Sequence, residues 1–105
     1  MQLTQAEITQ LTPQQFQLRG TVDFSTAPAL VSQASSLFRQ QSATTIEVDC
    51  SAIVSSNSAG LALMLELVRD AKANNIELKF KSLPDTLMTI AKAYGVESEI
   101  RDISQ

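Results

Sequence analysis

Three short segments alternate apolar and polar residues with period two, and this pattern constrains the fold more than any other feature of the chain. They are Phe16, Leu18, Val22 and Phe24; Ile46, Val48 and Cys50; and Ile76, Leu78 and Phe80. Alternation of that kind predicts strands with one buried face. The intervening positions are Gln17, Arg19, Thr21 and Asp23, then Glu47 and Asp49, then Glu77, Lys79 and Lys81. A sheet with so polar a second face takes helices mainly on one side, which argues against a doubly wound arrangement. The Met1–Leu11 segment, with Ala6 and Ile8, reads as a further edge strand joined to the next through Pro13.

Helical spacing fills the gaps between these strands. From about Pro28 to Arg39, Leu30, Ala34, Leu37 and Phe38 recur at i, i+4, i+7 and i+8, and Pro28 suits a first turn. A later segment opens with Ser82 and Asp85 in a weak capping-box spacing. It continues with Leu83, Leu87, Ile90, Ala91 and Tyr94 on one face and has Gly95 placed to end it. The tail, with Ile100 and Ile103 among charges, fits either a short strand or a final turn. Strands alternating with helices in this order predict a two-layer α/β domain, and 105 residues suffice for one such unit, 1–105, with one modest core.

Composition excludes several kinds of chemistry. The chain has no His, which removes the usual base of Ser and Cys hydrolases and the commonest metal ligand. Ser58-Ala59-Gly60 is part of a nucleophile elbow, but Ser56 stands where that motif has its first Gly. Cys50, the single cysteine, occupies an apolar strand position and reads as core. Asp23 and Asp49 lack a third ligand, so no metal and no cofactor is expected. A net charge of −3 with eight scattered Lys and Arg offers no stripe for phosphates, so no nucleic acid is expected either. The longest apolar run, Ala59 to Leu65, falls far short of the ~20 residues of a membrane span, and the opening residues lack the regions of a signal peptide. The expected compartment is the cytosol.

The most informative stretch is Asn57-Ser58-Ala59-Gly60-Leu61, where a strand gives way to a long helix reaching about Asn74. Ser55, Ser56, Asn57 and Ser58 can each place an oxygen against the free amides of the first turn, and capping requires only one of them. Small Ala59 and Gly60 follow, and Gly costs about 1 kcal/mol relative to Ala inside a helix, so something is expected to approach this end closely. Projection at 100° per residue gathers Leu61, Leu63, Met64, Leu67, Val68 and Ala71 on a core face and leaves Leu65 outside it. The outward stripe then runs from Ser58 over Ala62 and Leu65 to Arg69 and Lys72, a surface that can dock a partner. By pattern alone, an isolated surface leucine and an ordinary cap is the favoured account.

Three motifs change that balance. Gly20-Thr21-Val22-Asp23 ends an early strand, Asn57-Ser58-Ala59-Gly60-Leu61 joins a strand to a helix, and Thr89-Ile90-Ala91-Lys92-Ala93-Tyr94 lies near the C-terminus. In this order they resemble the STAS domains, the fold of anti-sigma factor antagonists and of regulatory modules in transporters, and the resemblance implies a mixed sheet with helices mainly on one face. Gly60-Leu61-Ala62-Leu63 with the last motif looks most like the small cytoplasmic STAS subunit of the Mla phospholipid ABC transporter. The resemblance implies a non-catalytic accessory subunit of a phospholipid transport system that maintains outer-membrane lipid asymmetry. It would dock on the cytoplasmic ATPase, touch no lipid itself and sit at the inner membrane only through that partner. It also implies a partner-binding surface at Asp23, Asn57, Ser58, Ala59, Leu61, Ala62, Leu65 and Arg69. The alternative it implies is an anti-sigma factor antagonist controlled by phosphorylation of Ser58. Family members of that kind carry Asp where this chain has Asn57, which favours constitutive docking over a phosphoswitch.

Overall fold

The alternating segments do pair into one sheet. The computed structural model describes residues 6–40 and 44–104. Its elements run β1 (Ala6–Thr12), β2 (Gln15–Val22), α1 (Ala27–Arg39), β3 (Thr45–Ser56), α2 (Ser58–Ala73), β4 (Glu77–Lys81), α3 (Asp85–Ala93) and α4 (Glu97–Asp102). The strands lie in the order β1-β2-β3-β4, with β1 antiparallel to β2 and the other pairs parallel. A mixed sheet with helices packed on one face is the architecture anticipated above, and β1 is indeed an edge strand. Met1 to Gln5, the start of that predicted segment, lie outside the described residues.

The inward side chains of the sheet, among them Ile8, Phe16, Leu18, Val48, Cys50 and Phe80, meet Leu30, Ala34 and Phe38 of α1 and Leu63, Met64 and Leu67 of α2 in one continuous core. Phe16 and Phe38 pack edge to face with centroids 5.9 Å apart. The other face of the sheet carries cross-strand polar pairs. Arg19 binds Glu7 directly across β1 and β2, Gln17 Nε2 donates to Asp49 Oδ2 at 3.4 Å, and Lys81 lies 3.9 Å from Glu47. The Cys50 thiol is 1% exposed, and burial pushes its pKa up to about 12, so it is a core group with no thiolate at neutral pH.

Four expectations need correction. Phe24 does not continue the inward face of β2, because the strand ends at Val22 and Phe24 is 70% exposed. The Asp23 carboxylate forces the turn by accepting from Ser25 N at 2.9 Å and Thr26 N at 3.1 Å. Tyr94 lies beyond the last turn of α3 as its C-cap and is exposed, since the next residue, Gly95, takes a left-handed conformation with φ 75°. Ser82 forms no capping box: it sits at φ 59°, and Pro84 is the N-cap without a side-chain hydrogen bond. Finally, β3 runs six residues past Cys50, so Ser55 and Ser56 belong to a strand and not to the helix start. Between Gln17 and Arg19, and again between Gly20 and Thr21, β3 carries one more residue than β2. Each such bulge shifts the face on which the following side chains lie, which is why the period-two signal disappears there. The tail resolves as α4 followed by a single bridge from Ser104 to Phe80.

Candidate functional site

The site is assembled where β2 and β3 end and α2 begins. Asn57 N donates to Val22 O at 3.3 Å, which fastens the start of α2 to the last residue of β2. That contact places Asp23 and Phe24 beside the entrance to the helix. The Asp23 carboxylate is committed to its own turn through Ser25 and Thr26, and those hydrogen bonds hold its pKa below the ordinary carboxylate value. Asp23 is therefore an ionised neighbour of the helix start whose first duty is to organise the entry to α1.

Of the four polar residues expected to compete for the cap, Asn57 holds it, with Oδ1 accepting from Ala59 N at 2.8 Å. Ser55 Oγ lies 3.4 Å from Thr21 Oγ1, and Ser56 Oγ donates to Asn57 O at 3.2 Å. Ser58 is the first residue of α2, half-buried, and its hydroxyl makes no hydrogen bond to any of the described residues. Asn57→Ala should therefore cost about 1 kcal/mol and Ser58→Ala much less, both read as urea midpoints. Equal losses from the two would return the cap to Ser58.

The small residues after the cap have an intramolecular cause. A Cβ at Gly60 would run into the Ser56 hydroxyl and press on Leu87 Cδ2 at 3.2 Å, so the groups that approach closely are the end of β3 and, less tightly, α3 of the same chain. Ala59 and Leu61 are buried, Leu61 at 4% exposure, and Leu61 belongs to the core cluster. Of the partner-binding set, Ala62, Leu65 and Arg69 face outward in line with the half-buried Ser58, while Asn57 and Asp23 flank them. Leu65 remains 37% exposed, and Arg69 lies 3.3 Å from Glu66 in an exposed pair.

Two apolar side chains at this site escaped the sequence reading. Phe24 lies two residues past the end of β2, and Val54, 80% exposed, lies near the end of β3. The turn-forming cluster Asp23, Ser25 and Thr26 ahead of Pro28 was the signal that could have released Phe24 from its strand. Val54 had no comparable signal, because its orientation follows from a bulge. Phe24 forms one wall of an apolar groove of about 300 Å³ between α1 and α2, whose other walls include Pro28, Val31, Ala59, Ala62 and Leu63. No helix among the described residues is long and apolar enough to cross a membrane, and no group of three or more metal-ligating side chains occurs among them.

A family model described as "Mlab, STAS domain" matches residues 8–102. Among solved structures, the chain is similar to the anti-sigma factor antagonist SpoIIAA in its unphosphorylated form. The TM-score is 0.70, with 17% sequence identity, over 95% of this chain and 85% of that one. At that identity the likeness is one of fold. No curated protein matches the chain.

Proposed function

We infer the function from one premise: this chain belongs to the Mlab family of STAS domains. On that premise it acts as a non-catalytic accessory subunit of a phospholipid ABC transport system serving outer-membrane lipid asymmetry. It docks on the ATPase at the cytoplasmic face of the inner membrane and is peripheral to that membrane through its partner.

One observation carries this reading. The outward line of α2, from Ser58 over Ala62 and Leu65 to Arg69, contributes no residue to the buried core, yet it carries an unpartnered hydroxyl and an exposed leucine and shares Ala62 with the groove walled by exposed Phe24. Exposed apolar residues scattered singly need no account, but a contiguous apolar patch with a polar rim is the usual form of a protein interface. An enzyme finds no support in the same residues, because the Ser58 hydroxyl has no His in the whole chain to take its proton.

The test is affinity capture of the tagged chain from detergent-solubilised native membranes. An ABC ATPase recovered in stoichiometric amount is the expected result. Recovery of a protein kinase instead, with a stoichiometric phosphate on Ser58 by intact mass, would replace this reading with the anti-sigma antagonist one. That second reading draws on the free Ser58 hydroxyl at a helix start, where added phosphate would meet a favourable dipole but also the ionised Asp23 nearby.

A further inference from the structure

Resting on the docking reading above, we propose that the groove between the starts of α1 and α2 receives one large apolar side chain of the ATPase, carried on a segment that has Lys or Arg beside it. A volume of about 300 Å³ stands at the lower end of the range for ligand pockets, roughly 300–1,000 Å³, and has room for an anchoring side chain. Its walls are almost entirely carbon, from Phe24, Ala27, Pro28, Val31, Ala62 and Leu63, so a polar occupant would lose its hydration without compensation. Ala62 belongs both to this groove and to the outward stripe of α2, which makes the two parts of one surface.

Charge decides what flanks the anchor. The N-cap amide of Thr26 and the first-turn amides of Ala27 and Ala59 are already taken by Asp23 and Asn57, so the two helix starts have less positive potential to offer. The one charged side chain that lines the groove is a carboxylate. Glu66 lines it, Asp23 immediately precedes Phe24, and Asp70 lies one turn beyond Glu66 on α2. Asp70 is turned toward α1, with one oxygen 3.4 Å from Ser35 Oγ, which also accepts from Arg39 Nη1 at 3.3 Å, and the other buried without a partner among the described residues. Against these stands Arg69, 78% exposed and held to Glu66 in a pair of the kind worth about 0–1 kcal/mol, which an incoming cation displaces at little cost. A basic flank meets Glu66 as the surface loses water and the attraction strengthens, whereas an acidic flank meets like charge.

Photo-cross-linking tests this directly. Phe24→p-benzoylphenylalanine keeps an aromatic wall, and Ala62→p-benzoylphenylalanine gives a second probe should the first disturb the groove. Irradiation of the membrane-assembled complex should yield an ATPase peptide with a large apolar residue and at least one Lys or Arg within four positions of it. Glu66→Lys should lower ATPase affinity at least tenfold at low salt, with the difference shrinking at high salt. An acidic cross-linked peptide, a complex that forms without cross-links from either position, or undiminished binding by Glu66→Lys would overturn the proposal. If the wild-type chain captures no ATPase, the docking reading itself fails, and this proposal fails with it.

Discussion

Leu65→Asp is expected to abolish capture of the ATPase, lowering its affinity by at least about 30-fold, the loss associated with truncating an interface hot spot. The side chain is 37% exposed on the outer line of α2, so the new carboxylate is hydrated in the free domain but is stripped of water at a closed interface. In the isolated protein the substitution replaces a good helix former by a poorer one and removes part of a packed side chain, which together cost about 1 kcal/mol. For a domain of this size that lowers Tm by no more than about 8 °C. Thermal denaturation and ATPase capture on the same preparation separate the two effects. Ordinary capture by Leu65→Asp would remove α2 from the interface.

Phe38→Ala should act in the opposite manner, on stability and not on docking. Phe38 is 1% exposed, closes the C-terminal turn of α1 onto the sheet and meets Phe16 edge to face at 5.9 Å. Truncation removes its transfer free energy and leaves a cavity, with a cost of about 3–5 kcal/mol. Domains of this kind are stable by only ~5–15 kcal/mol, so the urea midpoint should fall by a large fraction of its value at unchanged m. The folded fraction at low temperature should still capture the ATPase, because Phe38 lies at the far end of α1 from the groove. A loss below about 1 kcal/mol would mean that the core closes over the missing ring.

These two residues also mark how unevenly the chain discloses its structure. Phe38 was legible from spacing: apolar residues at Leu30, Ala34 and Phe38 predict a buried stripe, and all three are buried. Leu65 was legible for the same reason in reverse, since it falls outside the arc of Leu61, Met64 and Leu67, which the sheet covers. Phe24 was misread because alternation gives no notice of where a strand stops, and the stop comes from the hydrogen bonds of the Asp23 turn. The extent of β3 was misread because two bulges reverse its alternation. Ser55 and Ser56 were read as helix caps by their type, but a side chain caps only where the backbone turns, and here the turn comes at Asn57.

The periodicities alone determined the two-layer α/β fold, the single polar face of the sheet and the outward line from Ser58 to Arg69. They could do so because burial of apolar area is set by residue spacing, which is local. Tertiary structure alone decided that Phe24 leaves its strand to wall a groove between α1 and α2, that Val54 is exposed, and that Gly60 makes room for Ser56 and Leu87 of the same chain. Each of these depends on how distant segments meet across strand ends and helix seams, and the contact distances there are set by packing between elements that no window of sequence contains.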